Sequence, residues 1–133
     1  MHHKIKFHHL LLIGALALGS CKKEYVKPMP VAPPPPPGAV KFGTNIVPIF
    51  TTHCSISGCH DGSGAPVNLS PSTAYAELFA NSEIDTSSLP TSAANSNLYK
   101  RMTDAANPMP PSGLLPSEAA KVLAWIKDGA KNN

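Results

Sequence analysis

At 133 residues, with a formal charge of +3 and fifteen prolines, the chain has room for one domain with appendages. Lys4 and Lys6 supply much of that charge, and from Val40 onward six basic residues face seven acidic ones, a balance of −1. A near-neutral domain lacks the electrostatic footprint of a nucleic-acid binder, which excludes that class of partner.

Residues 1–20 read as a lipoprotein signal peptide. Lys4 and Lys6 give it a basic start, and the apolar run from Leu10 to Leu18 is too short for a membrane span of about 20 residues. Leu18-Gly19-Ser20-Cys21 then looks like a bacterial lipobox, in which Cys21 becomes the lipidated first residue of the mature protein. An ordinary signal peptide with a chance cysteine near its cleavage site is the alternative. His2, His3, His8 and His9 leave with this segment, so the His-rich start is a poor argument for a metal site. The expected location is outside the cytosol, on the periplasmic or cell-surface side, with the membrane reached through the lipid.

Residues 21–39 comprise the lipidated Cys21 and a Pro-rich tether. Seven prolines fall between Pro28 and Pro37, five of them consecutive. Such a run adopts polyproline II geometry and joins neither a helix nor a sheet interior. At about 3.1 Å per residue it would hold the domain up to roughly 50 Å from the bilayer.

Residues 40–133 predict an all-α domain of about four short helices, with no strand-type alternation. Ile46, Ile49 and Phe50 give an apolar face to a helix from Asn45 to about His53, with Pro48 in its first turn. Ser70-Pro71 can start a second, with Tyr75, Leu78 and Phe79 on one side. Ser96 can cap a third, in which Leu98 and Met102 lie one turn apart. Ser117 caps the last, Glu118 favours its N-terminal dipole, Val122, Leu123, Trp125 and Ile126 build its face, and Gly129 stops it. Four short helices alone make a thin core, and the domain is expected to be loosely folded without a group at its centre.

Between the first two helices runs His53-Cys54-Ser55-Ile56-Ser57-Gly58-Cys59-His60. Two cysteines with a histidine directly after the second is the arrangement that fastens a c-type haem. The thiols add across the porphyrin vinyls, and the imidazole reaches the iron from one side. The usual gap between the cysteines is two residues; here it is four. Because the vinyl separation is fixed, the extra residues must bulge outward, which Ser55, Ser57 and Gly58 suit. With Cys21 assigned to lipid, no cysteine remains for a structural disulfide. Two other readings of the motif stay open. A Cys54–Cys59 disulfide would close only a short loop and ignore His60. Zinc held by His53, Cys54, Cys59 and His60 has suitable ligand types, but chain neighbours rarely aim at one metal.

These residues resemble the class I c-type cytochrome family, and more narrowly the small cytochrome c domains of bacterial exported proteins. The likeness spans about residues 41 to 131. It rests on the apolar helix leading into the cysteine motif, on Cys59-His60, on Met109-Pro110-Pro111-Ser112-Gly113, and on the closing helix with Trp125-Ile126-Lys127-Asp128-Gly129-Ala130. The resemblance implies a cytochrome c-like fold in which the first and last helices cross, with one covalent haem c in the cleft. Cys54 and Cys59 would then carry the thioethers, His60 would be the proximal iron ligand and Met109 the distal one. Prolines on both sides of Met109 stiffen its loop, whereas Met102 has the spacing of a core residue. The implied function is that of a membrane-tethered electron carrier, not an enzyme, that meets redox partner proteins transiently. The alternative is a haem enzyme or sensor whose sixth iron position opens to peroxide or a gas, but the sequence offers no distal His–Arg pair for peroxide cleavage.

Overall fold

Proline has no N–H to give, so a helix accepts it only in the first turn. The computed structural model, which describes residue 33 and residues 35–133, obeys this at helix α1 (Val47–His53), with Pro48 in that turn. Upstream, Phe42–Ile46 winds as a π-type turn straight into α1. The wound segment thus begins three residues before Asn45, whose side chain accepts the Lys41 N–H at 2.8 Å. Phe42, Ile46, Ile49 and Phe50 all point into the core.

Helix α2 (Ala74–Ala80) starts a turn later than Ser70-Pro71 suggests, because the Ser70 carbonyl first holds Thr73 and Ala74 N–H groups in a turn. Tyr75 and Leu78 face inward, while Phe79 lies outside and stacks on Tyr75 with ring centres 5.0 Å apart. A short 3-10 turn (Thr91–Asn95) leads into α3 (Asn97–Thr103). Ser96 stands at the cap position of α3 without capping it, since its hydroxyl accepts the Asp85 N–H at 2.9 Å instead. Helix α4 (Pro116–Lys127) also departs from expectation at its start: Pro116, with its backbone angle preset, takes the first helical position, so Leu115 occupies the cap and Ser117 lies inside. Gly129 ends α4 at φ +98°, and the Ala130 N–H returns to the Trp125 carbonyl at 3.0 Å.

The core forms where α4 lies on the Phe42–Ile46 turn, on α3 and on the 3-10 turn. Phe42 is its hub, with ring centres of Tyr75 and Trp125 each 5.2 Å away and that of Phe50 at 6.3 Å. Met102 is only 3% exposed and belongs to this core. The C-terminal tail then stitches the assembly. Trp125 Nε1–H donates to the Lys131 carbonyl at 2.9 Å and Tyr75 O–H to the Ala130 carbonyl at 3.1 Å. Asn133 accepts the Phe42 N–H through its side chain at 2.9 Å and the Gly43 N–H through its carbonyl at 2.8 Å.

The described residues hold four α-helices and no strand, an all-α architecture. None of these helices is long and apolar enough to cross a membrane. The signal segment 1–20, Cys21 and most of the tether lie outside the described residues.

Candidate functional site

The site begins where α1 stops. Cys54 follows His53 as the cap residue, its N–H bonded to the Phe50 carbonyl at 2.8 Å, and its side chain rests against the core. From here to Leu69 the chain has no regular structure and is held by main-chain bonds across its own loop. The Cys59 N–H reaches the Ile56 carbonyl at 2.9 Å and the His60 N–H the Cys54 carbonyl at 3.1 Å. Ala65 N–H returns to Cys59 at 2.8 Å, and Leu69 N–H to His60 at 2.7 Å. Cys54, Cys59 and His60 are therefore gathered in one knot of backbone.

Two glycines make that knot feasible. Gly58 sits at φ +79°, a region costly for side-chain-bearing residues, and turns the Ser55–Gly58 gap outward so that Ile56 is 47% exposed. Gly64 lies directly against the backbone of Gly58 and Cys59, where an added Cβ would collide with both.

His60 is oriented by a single bond. Its Nδ1 lies 2.9 Å from the Val67 carbonyl oxygen. A carbonyl can only accept, so Nδ1 is the donor, and in the neutral imidazole Nε2 is then left with the lone pair that a metal ligand needs. Val67 could not be singled out from sequence, because a main-chain carbonyl has no residue signature.

The two thiols are unpaired, so the disulfide reading has no support in the structure. Burial pushes the Cys54 thiol up to about 11, with the neighbouring Cys59 adding to the rise. Without a metal, Cys54 is thus held as the neutral S–H. Among the described residues no three His, Cys, Asp or Glu side chains converge on a metal-sized site, so His53, half-buried at the end of α1, does not join Cys54, Cys59 and His60 in a zinc cluster. The residue types are those that would hold a porphyrin: two unpaired thiols on one loop, one oriented imidazole, and a thioether elsewhere in the fold.

That thioether belongs to Met109, in the loop between α3 and α4. Its N–H is fastened to the Arg101 carbonyl of α3 at 2.9 Å, its peptide bond to Pro110 is cis, and its residue is 40% exposed. Met102, by contrast, is consumed by the core. Glu83, after α2, lies within electrostatic reach of both Arg101 and His60. Burial raises its carboxyl above the ordinary range, and those two groups pull it back. Glu83 does not stand out in the sequence, since only the fold brings it within reach of Arg101 and His60. Closer to the motif, Asp61 accepts the Ser63 N–H at 3.0 Å and hydroxyl at 2.6 Å, and the hydroxyl bond chiefly holds its carboxyl below the usual value.

Compared with known protein families, curated proteins and solved structures, the chain matches none.

Proposed function

We propose that residues 40–133 hold one haem c, attached through Cys54 and Cys59, and serve as a membrane-tethered electron-transfer domain. The observation that carries this reading is the Nδ1–H bond from His60 to Val67, which leaves Nε2 as a preset ligand directly beside two unpaired thiols. When bound, the haem supplies a one-electron couple. His60 would hold the iron through the ring nitrogen that the Val67 bond leaves free. Met109 would be its second protein ligand, a soft sulfur that favours ferrous iron and would raise the potential relative to two imidazoles. The stiff loops around both residues limit rearrangement between redox states. Near-neutral charge and the absence of a strong field suit brief encounters with redox proteins, of the kind that bury under about 1,200 Å².

A denaturing gel with a haem-peroxidase stain, run on protein made alongside a cytochrome c maturation system, tests attachment. The stain is expected to follow the polypeptide; a colourless band from soluble, folded protein overturns the reading. The oxidised protein should also show an iron–methionine charge-transfer band. Attached haem without that band in the wild type would move the assignment to the enzyme or sensor class.

Anchoring rests on the lipobox-like Leu18-Gly19-Ser20-Cys21. Cys21→Ala is expected to release the protein into the soluble exported fraction. Retention on membranes after a salt wash would mean that something other than the Cys21 lipid holds it there.

A further inference from the structure

The end of the tether is laid against the domain. Val40 is buried, and just before it the Ala39 N–H reaches the Pro36 carbonyl at 3.1 Å, with Gly38 at φ +77°, so the chain reverses as it enters the core. The prolines ahead of that turn follow α4. Pro37 borders a groove with Leu123 and Lys127, Pro33 borders another with Ser117 and Lys121, and Pro35 belongs to both. The run therefore crosses the outer face of α4 between Lys121 and Lys127, and a proline run is stiff enough to keep that course. Residues 21–32 are what separates this strap from Cys21, roughly 37 Å of chain at about 3.1 Å per residue.

Charge is divided along the same line. Residues 40–53 and 116–133 carry Lys41, Lys121, Lys127 and Lys131 against Glu118 and Asp128, a balance of +2. Residues 54–115 carry Lys100 and Arg101 against Asp61, Glu77, Glu83, Asp85 and Asp104, a balance of −3. Lys131 is taken by Asp128 at 3.4 Å, the sole ion pair among the described residues. Lys41, Lys121 and Lys127 are exposed, and Glu118, one turn before Lys121, does not come within ion-pair distance of it. Lys41 adjoins the Pro33 groove, since its N–H is held by the Asn45 side chain at 2.8 Å and Asn45 lines that groove.

We propose that the strap side of α4, with Lys41, Lys121 and Lys127, is a docking surface for anionic phospholipid headgroups. The inference rests on the anchoring part of the reading above and not on the haem. The path toward the lipid leaves from this side, so this side meets the bilayer first. Headgroup phosphates then attract the three ammonium groups, while the negative balance of residues 54–115 is repelled. That stretch carries the cysteine–histidine loop and Met109, which so stay turned to the aqueous side, within reach of redox proteins. Each lysine brought to such a surface favours it about fivefold, and three together about a hundredfold. The preference fades within a Debye length, about 8 Å at physiological salt.

The test follows lysine acylation by mass spectrometry on the full lipidated chain, seated in vesicles of phosphatidylglycerol with phosphatidylcholine or of phosphatidylcholine alone. On the anionic vesicles Lys41, Lys121 and Lys127 should react at least about fivefold more slowly than on the neutral ones. Lys100, which is exposed near Asp85, should keep its rate. Salt at about 1 M, with a screening length of about 3 Å, should erase the difference. Equal rates on both vesicles overturn the proposal, as does a slowing of Lys100 to the same degree. With Lys121→Glu and Lys127→Glu combined, Lys41 should regain its rate on neutral vesicles, and a Lys41 still slowed is fatal to the proposal. A protein that floats with neither vesicle ends the anchoring reading and this one together, whereas one that floats with both yet reacts alike on both ends this one alone.

Discussion

Gly64→Ala is expected to cut haem attachment at least about tenfold while leaving the helices formed. The new Cβ would stand 2.8 Å from the Cys59 carbonyl oxygen and closer still to Gly58, and these are backbone atoms with no rotamer through which to yield. Relief requires moving the stretch that carries Cys59 and His60. That movement breaks the Ala65–Cys59 main-chain bond and disturbs the His60–Val67 bond. Two such bonds are worth roughly 2 kcal/mol together. On the proposed haem reading the larger cost is chemical, because the thiol and the imidazole would have to be presented to one rigid porphyrin, and a displaced loop would not serve both. Phe50, Val122, Trp125 and Ile126 lie outside the loop, so far-UV circular dichroism should change little. Gly58→Ala is the control: it meets no neighbour and suffers only from its φ of +79°, a penalty of about 1 kcal/mol. Haem staining of Gly64→Ala equal to wild type would show that the close approach is unimportant.

Exchanging the two methionines of the domain for alanine should give opposite phenotypes. Met102→Ala empties a site that is 3% exposed, and substitutions of this type cost about 2–5 kcal/mol. The melting temperature should drop while the iron–methionine band persists. Met109→Ala removes a residue already 40% exposed, so thermal stability of the haem-free chain should shift by no more than about 0.5 kcal/mol. In the haem-loaded protein the same change should erase the band and lower the potential, since the soft ligand for ferrous iron is gone. Thermal melts with oxidised spectra of both variants decide the matter. Loss of the band in Met102→Ala and its survival in Met109→Ala would reverse the ligand assignment.

Side-chain pattern made much of this molecule readable. Val122, Trp125 and Ile126 recur at helical spacing and are all buried in α4, and Ile46, Ile49 and Phe50 do the same for the first wound segment. Element ends were less legible, because competing partners decide them. Ser96 resembles a cap until Asp85, eleven residues earlier, claims its hydroxyl. Ser117 resembles one until Pro116 takes the first helical position. The π-type winding of Phe42–Ile46 leaves no trace in side-chain spacing, since it differs from an α-turn only in which carbonyl is chosen. The same division runs through the site. Cys54, Cys59, His60 and Met109 carry their chemistry in their side chains and could be nominated directly. The orientation of His60 comes from a carbonyl at Val67, which has no local signature.

The bonds from Asn133 back to Phe42 and Gly43 carry a consequence for timing. The first joins positions 91 residues apart in the chain, and the aromatic hub they secure also needs Trp125. A polypeptide made from its N-terminus therefore presents the cysteine–histidine loop long before the frame around it can close. Cys54, half-buried once the domain is finished, is open until then. If haem is attached as proposed, attachment can precede closure of the frame, and a chain truncated before α4 should remain a competent substrate for it.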